Sequence, residues 1–235
     1  MLKDYQEGSI LLVDKPLDWT SFDVVKKIKF AFKKKLPKLK IGHAGTLDPK
    51  ATGLLIICTG AFTKKIQEIQ DQYKIYTGSF FLGATTACYD TERPVNQTFD
   101  IAHITSSDIM QATNLFKGEI RQTPPAHSAI KVSGKNAYEL ARKGKEVELK
   151  ERTVIIYEFK ITHIHLPLID FKVKCSKGTY IRSLANDFGK ALGAGAYLAS
   201  LRREQIGEYL VSDAWEINKL AEQINLEIEG NNESI

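Results

Sequence analysis

Two runs of alternating residues, TVIIYEFKITHI (153–164) and IDFKVKCS (169–176), flank Pro167 and constrain the fold more tightly than any other part of the chain. In the second run Phe171, Val173 and Cys175 alternate with Lys172, Lys174 and Ser176. That is the period of a strand with one buried and one wet face. Proline belongs in the connection between such strands, so the pair predicts a hairpin.

Other segments extend the pattern. SILLVD (9–14), LLIIC (54–58), YKIYTGSFFLG (73–83) and IGEYLV (206–211) read as strands from their β-branched and aromatic content. Helices are expected after a Ser21 cap, with Phe22, Val25, Ile28 and Phe32 on one face, and over 61–70, 106–116, 197–203 and 214–224. Another should open at a Thr179 cap and bury a stripe of Ile181, Leu184, Ala185, Phe188 and Leu192. Residues 84–100 read as loop, and 121–148 as an excursion from the core that forms a basic arm. Strands and helices mix without a βαβ repeat, so the expected class is α+β: a mixed, largely antiparallel sheet flanked by helices.

Composition excludes several classes. With 43% hydrophobic residues over 235 positions the chain can build a core, which excludes disorder. Lys and Arg number 33 against 28 Asp and Glu. The cations concentrate in AFKKKLPKLK (31–40) and ARKGKEVELKER (141–152), which suits an anionic partner, while the tail EIEGNNESI (227–235) is acidic. Each basic run also reads as a solvated helix end. Cys58, Cys88 and Cys175 have no CxxC spacing and read as reduced core residues. The N-terminus lacks a secretory pattern and no window reaches 18 apolar residues, so a cytoplasmic protein is expected. His163 and His165 share a strand face without a third ligand, so no metal site is expected.

The stretch GHAGTLDPKATGLL (42–55) carries the chemistry. Pro49 restrains Asp48 to extended geometry, and Gly42, Gly45 and Gly53 permit tight turns and close approach of a ligand. Read alone, Asp-Pro is a common turn step. A phosphate-binding loop is excluded, because the Gly-Lys-Ser/Thr ending is absent and an acid stands where phosphate would be repelled.

The stretch resembles the signature loop of the TruB family of tRNA pseudouridine synthases. DKPLDWTSFDVV (14–25), YKIYTGSFFLGATT (73–86), QTPPAHSAIKVSGKNAYELARKG (122–144) and VKCSKGTYIRSLANDFGKALGAGAYLASLRR (173–203) follow in family order. The resemblance covers roughly residues 9–212 and implies a pseudouridine synthase-like fold with an inserted RNA-binding thumb over about 121–152. It implies isomerisation of uridine 55 in the T stem-loop of tRNA, with the nucleotide flipped out, no cofactor or metal, and a monomer. Asp48 would be the nucleophile and Arg182 its charge partner. Tyr73 would stack on the uracil and help move a proton; Tyr180 and Leu201 would line the pocket; His43 would fill the space near the extracted nucleotide. Read alone, Leu201 is a core leucine and Tyr73 a sheet tyrosine.

Departures from the family pattern concern loop shape and RNA contacts. Asp18 replaces a frequent glycine, His127 a frequent tyrosine, and TTACYDTERPV (85–95) lacks the usual glycine near Arg93. The expected organisation is one catalytic domain over 1–225 and an acidic tail over 226–235, with no additional C-terminal RNA-binding (PUA) domain. Two rival classes are a nucleoside-directed glycosidase, for which the matched loops offer no second carboxylate, and a non-catalytic RNA-binding or RNA-folding protein, for which Asp48 is dispensable.

Overall fold

The computed structural model describes residues 2–125, 131–132, 135–136 and 149–230. From the N-terminus its elements are α1 (Leu2–Glu7), β1 (Ile10–Lys15), α2 (Ser21–Phe32), β2 (Ile41–His43), β3 (Ala51–Thr59), α3 (Ile66–Asp71) and β4 (Lys74–Leu82). Then come β5 (Ala84–Thr86), β6 (Val95–Thr98), α4 (Ser106–Ala112), β7 (Gly118–Gln122), β8 (Lys131–Val132) and β9 (Lys135–Asn136). The chain continues through β10 (Arg152–His165), β11 (Leu168–Cys175), α5 (Ile181–Ala191), β12 (Ala196–Ile206), β13 (Tyr209–Leu210), β14 (Trp215–Glu216) and α6 (Ile217–Gly230). It divides into two compact units, Met1–Tyr76 with Arg202–Ile235, and Thr77–Leu201.

The first unit is organised around β3, which is buried along nearly its whole length. It pairs antiparallel with β1 and β2, and β1 pairs parallel with β14. Both faces of β3 are covered, so its sequence is a continuous apolar run instead of an alternation. Leu55 and Ile57 point to one core with Val24, Val25, Ile28, Phe32 and, from α6, Ile217, Leu220 and Ile224. Leu54, Ile56 and Cys58 point to the other core with Ala44, Ile69 and Ile206. Phe32 is fully buried, and truncating such a ring typically costs about 3–5 kcal/mol.

Helix α2 starts at a capping box: the Thr20 hydroxyl accepts from the Asp23 amide, and the Asp23 carboxylate accepts from the Thr20 amide. The cap is therefore Thr20 and not Ser21. Phe22 is 69% exposed, which corrects the expected face; Val24 and Ala31 are buried in its place.

In the second unit β10 pairs antiparallel with β11 and β7, giving the hairpin expected around Pro167. Ile169, Phe171, Val173 and Cys175 are buried. Phe80 and Phe171 stack with ring centroids 4.2 Å apart, and Phe188 of α5 packs 5.5 Å from Phe159.

Three sequence expectations are corrected. Residues 197–203 lie in β12 and not in a helix: YLASLRR has adequate helix propensity, but burial alternates on either side of Ala199–Ser200, and pairing overrides local preference. Residues 206–211 do not form a continuous strand; β12 ends at Ile206 and β13 is a two-residue return paired to it. The segment 84–100, read as loop, contains the hairpin of β5 and β6. Most of the 121–152 arm, including His127, and the end of the acidic tail lie outside the described residues. Among those described, no helix is long and apolar enough to cross a membrane.

Candidate functional site

Asp48 sits on the loop between β2 and β3, half-buried, with its carbonyl accepting from the Ala51 amide at 3.1 Å. Three side chains brace this loop. Arg203, 1% exposed on β12, donates to the carbonyls of Leu54 at 2.7 Å, Gly45 at 3.1 Å and Thr46 at 3.3 Å. Lys15, fully buried at the end of β1, donates to Trp19 O at 2.7 Å, Pro16 O at 2.9 Å and Pro49 O at 3.4 Å. Ser21 Oγ accepts from the Leu47 amide at 2.8 Å and donates to the Leu47 carbonyl at 3.1 Å. The residues on both sides of Asp48 are thus fixed by groups from β1, α2 and β12.

Glycine is required where this loop meets its braces. Gly45 and Gly53 have φ of +103° and +104°, and a Cβ on Gly53 would run into the backbone of Arg203. Asp18, which stands where the family often has glycine, has φ +64°. Aspartate is among the few residues that tolerate this left-handed geometry. Its amide bonds Pro49 O at 2.9 Å and its carboxylate takes Lys50 Nζ at 2.6 Å, so the departure keeps the loop shape.

The electrostatics of the loop are positive. Burial pulls the Lys15 ammonium down from 10.5 to about 8, opposed by the nearby Asp48 carboxylate and reinforced by Arg203. His43, on β2 opposite Ile57, is lowered by burial and then by the Arg203 charge, which favours its neutral form. Tyr73 lies just before β4, where its hydroxyl accepts from Gln205 Nε2 at 3.2 Å. Arg203 and Gln205 are two apart on β12 and so share a face, one reaching the Asp48 loop and the other Tyr73.

The second unit carries Tyr180, Arg182 and Leu201. Tyr180 is the residue immediately before α5 and makes no side-chain cap; Thr179, expected to cap, instead donates to Ser176 O at 3.0 Å. Buried Gln122 holds the turn, donating to Tyr180 O at 3.0 Å and accepting from Tyr180 N at 2.7 Å. The Arg152 guanidinium stands 5.2 Å from the Tyr180 ring centroid. Leu201 is buried on β12.

Arg182 is 5% exposed in the first turn of α5, where the helix dipole disfavours a cation. Its partner in this unit is Asp90, also buried, with Nη1 3.5 Å from Oδ2. Asp90 Oδ1 accepts from Cys88 Sγ at 2.8 Å and the Glu92 amide at 2.9 Å. Tyr89, with φ +64°, turns the chain to present it.

Asp90, Lys15, Arg203, Ser21 and Gln122 are the residues that sequence reading missed. Asp90 lay in a stretch read as loop, and Lys15 seemed only to end a strand. The one available signal was Arg203 two positions from Leu201, a cation where strand alternation calls for an apolar group.

By fold the chain is of the pseudouridine synthase class. It resembles a chain in the "Crystal Structure of a Cbf5-Nop10-Gar1 Complex" with a TM-score of 0.71 and 29% identity, over 94% of this chain and 55% of that longer one. A chain in the "Structure of H/ACA RNP bound to a substrate RNA containing 2'-deoxyuridine" also gives 0.71, at 26% identity, over 98% of this chain and 58% of that one.

Sequence narrows the class. Residues 32–181 match the model for TruB family pseudouridylate synthase (N terminal domain), and 182–235 that for the tRNA pseudouridylate synthase B C-terminal domain. The tRNA pseudouridine synthase B of Flavobacterium johnsoniae is 55% identical over 225 residues, covering 94% of this chain and 98% of its own length. That of Chlorobium chlorochromatii is 48% identical over 219 residues, covering 93% and 86%. The chain belongs to the TruB family.

Proposed function

We propose that the protein isomerises uridine to pseudouridine in tRNA, at uridine 55 of the T arm. The observation that carries the reading is the braced loop around Asp48 in a chain of this family: Arg203, Lys15 and Ser21 fix the backbone beside one half-buried carboxylate. Such holding positions a reacting group before substrate arrives.

In the reaction the N1–C1′ bond breaks, the uracil turns, and C1′ joins C5. C5 then loses its hydrogen and N1, freed from C1′, takes up a proton, so the product is an isomer and no cofactor or metal takes part. Asp48 is the nucleophile. A carboxylate suits the task because it can attack the nucleotide covalently or stabilise positive charge developing at C1′. Arg182, held by Asp90, is its charge partner.

The Tyr73 ring stacks on the uracil, and its hydroxyl serves the closing proton transfer. Tyr180 and Leu201 line the nucleotide pocket, and neutral His43 takes the space beside the extracted nucleotide. A stacked uridine cannot reach Asp48, so the target flips out at a cost of a few kcal/mol, offset by stacking in the pocket. The 121–152 insertion acts as a basic thumb on the T arm within a single catalytic domain, in a cytoplasmic monomer.

The test is incubation with an unmodified tRNA transcript carrying tritium at uracil C5. Release of tritium without free uracil, mapped to uridine 55, is the expected result. Free uracil identifies a glycosidase, and binding without release identifies a non-catalytic RNA-binding protein.

A further inference from the structure

Helix α2 carries two aromatic rings that the fold does not use: Phe22 is 69% exposed and Phe30 73% exposed. Lys26 lies between them at four-residue spacing and Lys33 follows, so the four side chains form one stripe along the outer face. Beside the stripe, Asp18, Trp19, Asp23, Lys26, Lys27 and Phe30 line an open groove of about 500 Å³.

Both carboxylates at its rim are engaged, Asp23 in the Thr20 cap and Asp18 with Lys50. Between Asp23 and Asp48 the sequence has no acid but places lysines at 26, 27, 29, 33, 34, 35, 38 and 40. Exposed aromatic rings interleaved with cations match single-stranded nucleic acid, whose bases stack on the rings while its phosphates meet the lysines. An uncharged protein surface would gain nothing from that density of lysine.

Position adds to the argument. The helix begins at the Asp48 loop, since Ser21 bonds Leu47 and Asp18 bonds Pro49. From there its 12 residues run away for about 18 Å. RNA with one nucleotide at Asp48 therefore lies at the start of the stripe. We propose that the outer face of α2 is a second RNA-contact surface, which holds unpaired nucleotides of the substrate tRNA lying outside the T arm. The proposal rests on the tRNA reading above.

The experiment compares a full-length tRNA transcript with an isolated T-arm hairpin, using the intact chain and the variants F22A/F30A and K26Q/K33Q. All the altered side chains lie on the helix surface, and unchanged thermal unfolding verifies the fold. F22A/F30A should weaken binding of full-length tRNA at least fivefold, about the lower end of what loss of one base stack costs, while hairpin affinity and turnover stay within twofold. K26Q/K33Q should lower the salt slope for tRNA by about 1–2 and leave that of the hairpin unchanged. Unchanged tRNA affinity, or equal losses on both RNAs, overturns the proposal. Wild-type failure on the hairpin would instead count against the T-arm reading, so the two failures are distinct.

Discussion

Around Asp48 the groups that hold the backbone are buried cations bonded to neutral carbonyls, whereas around Arg182 the holding group is a buried carboxylate. In the second unit Asp90 pairs with the Arg182 guanidinium it positions. In the first, Arg203 and Lys15 spend their donors on backbone oxygens, so their positive field persists at the loop and attracts Asp48. The holding group thus pairs with a charge in the second unit and leaves its own charge on the loop in the first.

This contrast can be broken at each end. The largest effect is expected from Arg203→Met, which fills similar volume but strands the carbonyls of Gly45, Thr46 and Leu54. Urea unfolding should show a loss of about 3–5 kcal/mol, as expected for three carbonyls left without a donor at about 1–3 kcal/mol each. A loss below about 1 kcal/mol would mean that the loop holds itself. Asp90→Asn keeps the shape of the second pair and removes its charge. It should lower kcat by about 10–100-fold, roughly 1.4–2.7 kcal/mol, with KM for tRNA nearly unchanged. A change confined to KM would reassign Asp90 to RNA binding.

The smallest effect concerns Lys15 and pH. The unfolded chain keeps its proton up to about the ordinary 10.5, while the folded one releases it near 8. Between those values the unfolded state holds more protons, so Lys15 makes stability rise with pH across that window. Unfolding at pH 7.5 and 9.5 should show this increment in the wild type, and Lys15→Met should lack it. Equal pH slopes in both proteins would show that the folded lysine titrates normally.

What sequence reading captured follows from periodicity. The hairpin at Pro167, the buried stripe of α5 and the strand at LLIIC all had apolar patterns that burial then fixed. Residues 197–203 misled because helix propensity and strand pairing point in opposite directions there, and only a partner strand decides. Phe22 misled because its spacing fits the buried face only loosely, and the chain put Val24 there.

Asp48, Arg182 and the aromatic residues are proposed from local motifs, which say nothing of the groups that support them. Arg203 reaches Gly45 across 158 positions of sequence and Arg182 reaches Cys88 across 94, distances at which no spacing rule operates. Motifs point to the residues proposed to react, and the fold shows the groups that hold them.

The proposed role of the loop is to present Asp48 to a flipped uridine. Asp48→Asn is close to isosteric, leaves the bonds of the loop backbone in place, and tests the claim directly when tritium release and tRNA affinity are measured on the same preparation. Release should fall by at least about 10³-fold, the scale expected for loss of a covalent catalyst, while tRNA affinity changes by less than about threefold. Turnover retained within about tenfold of wild type would contradict that role.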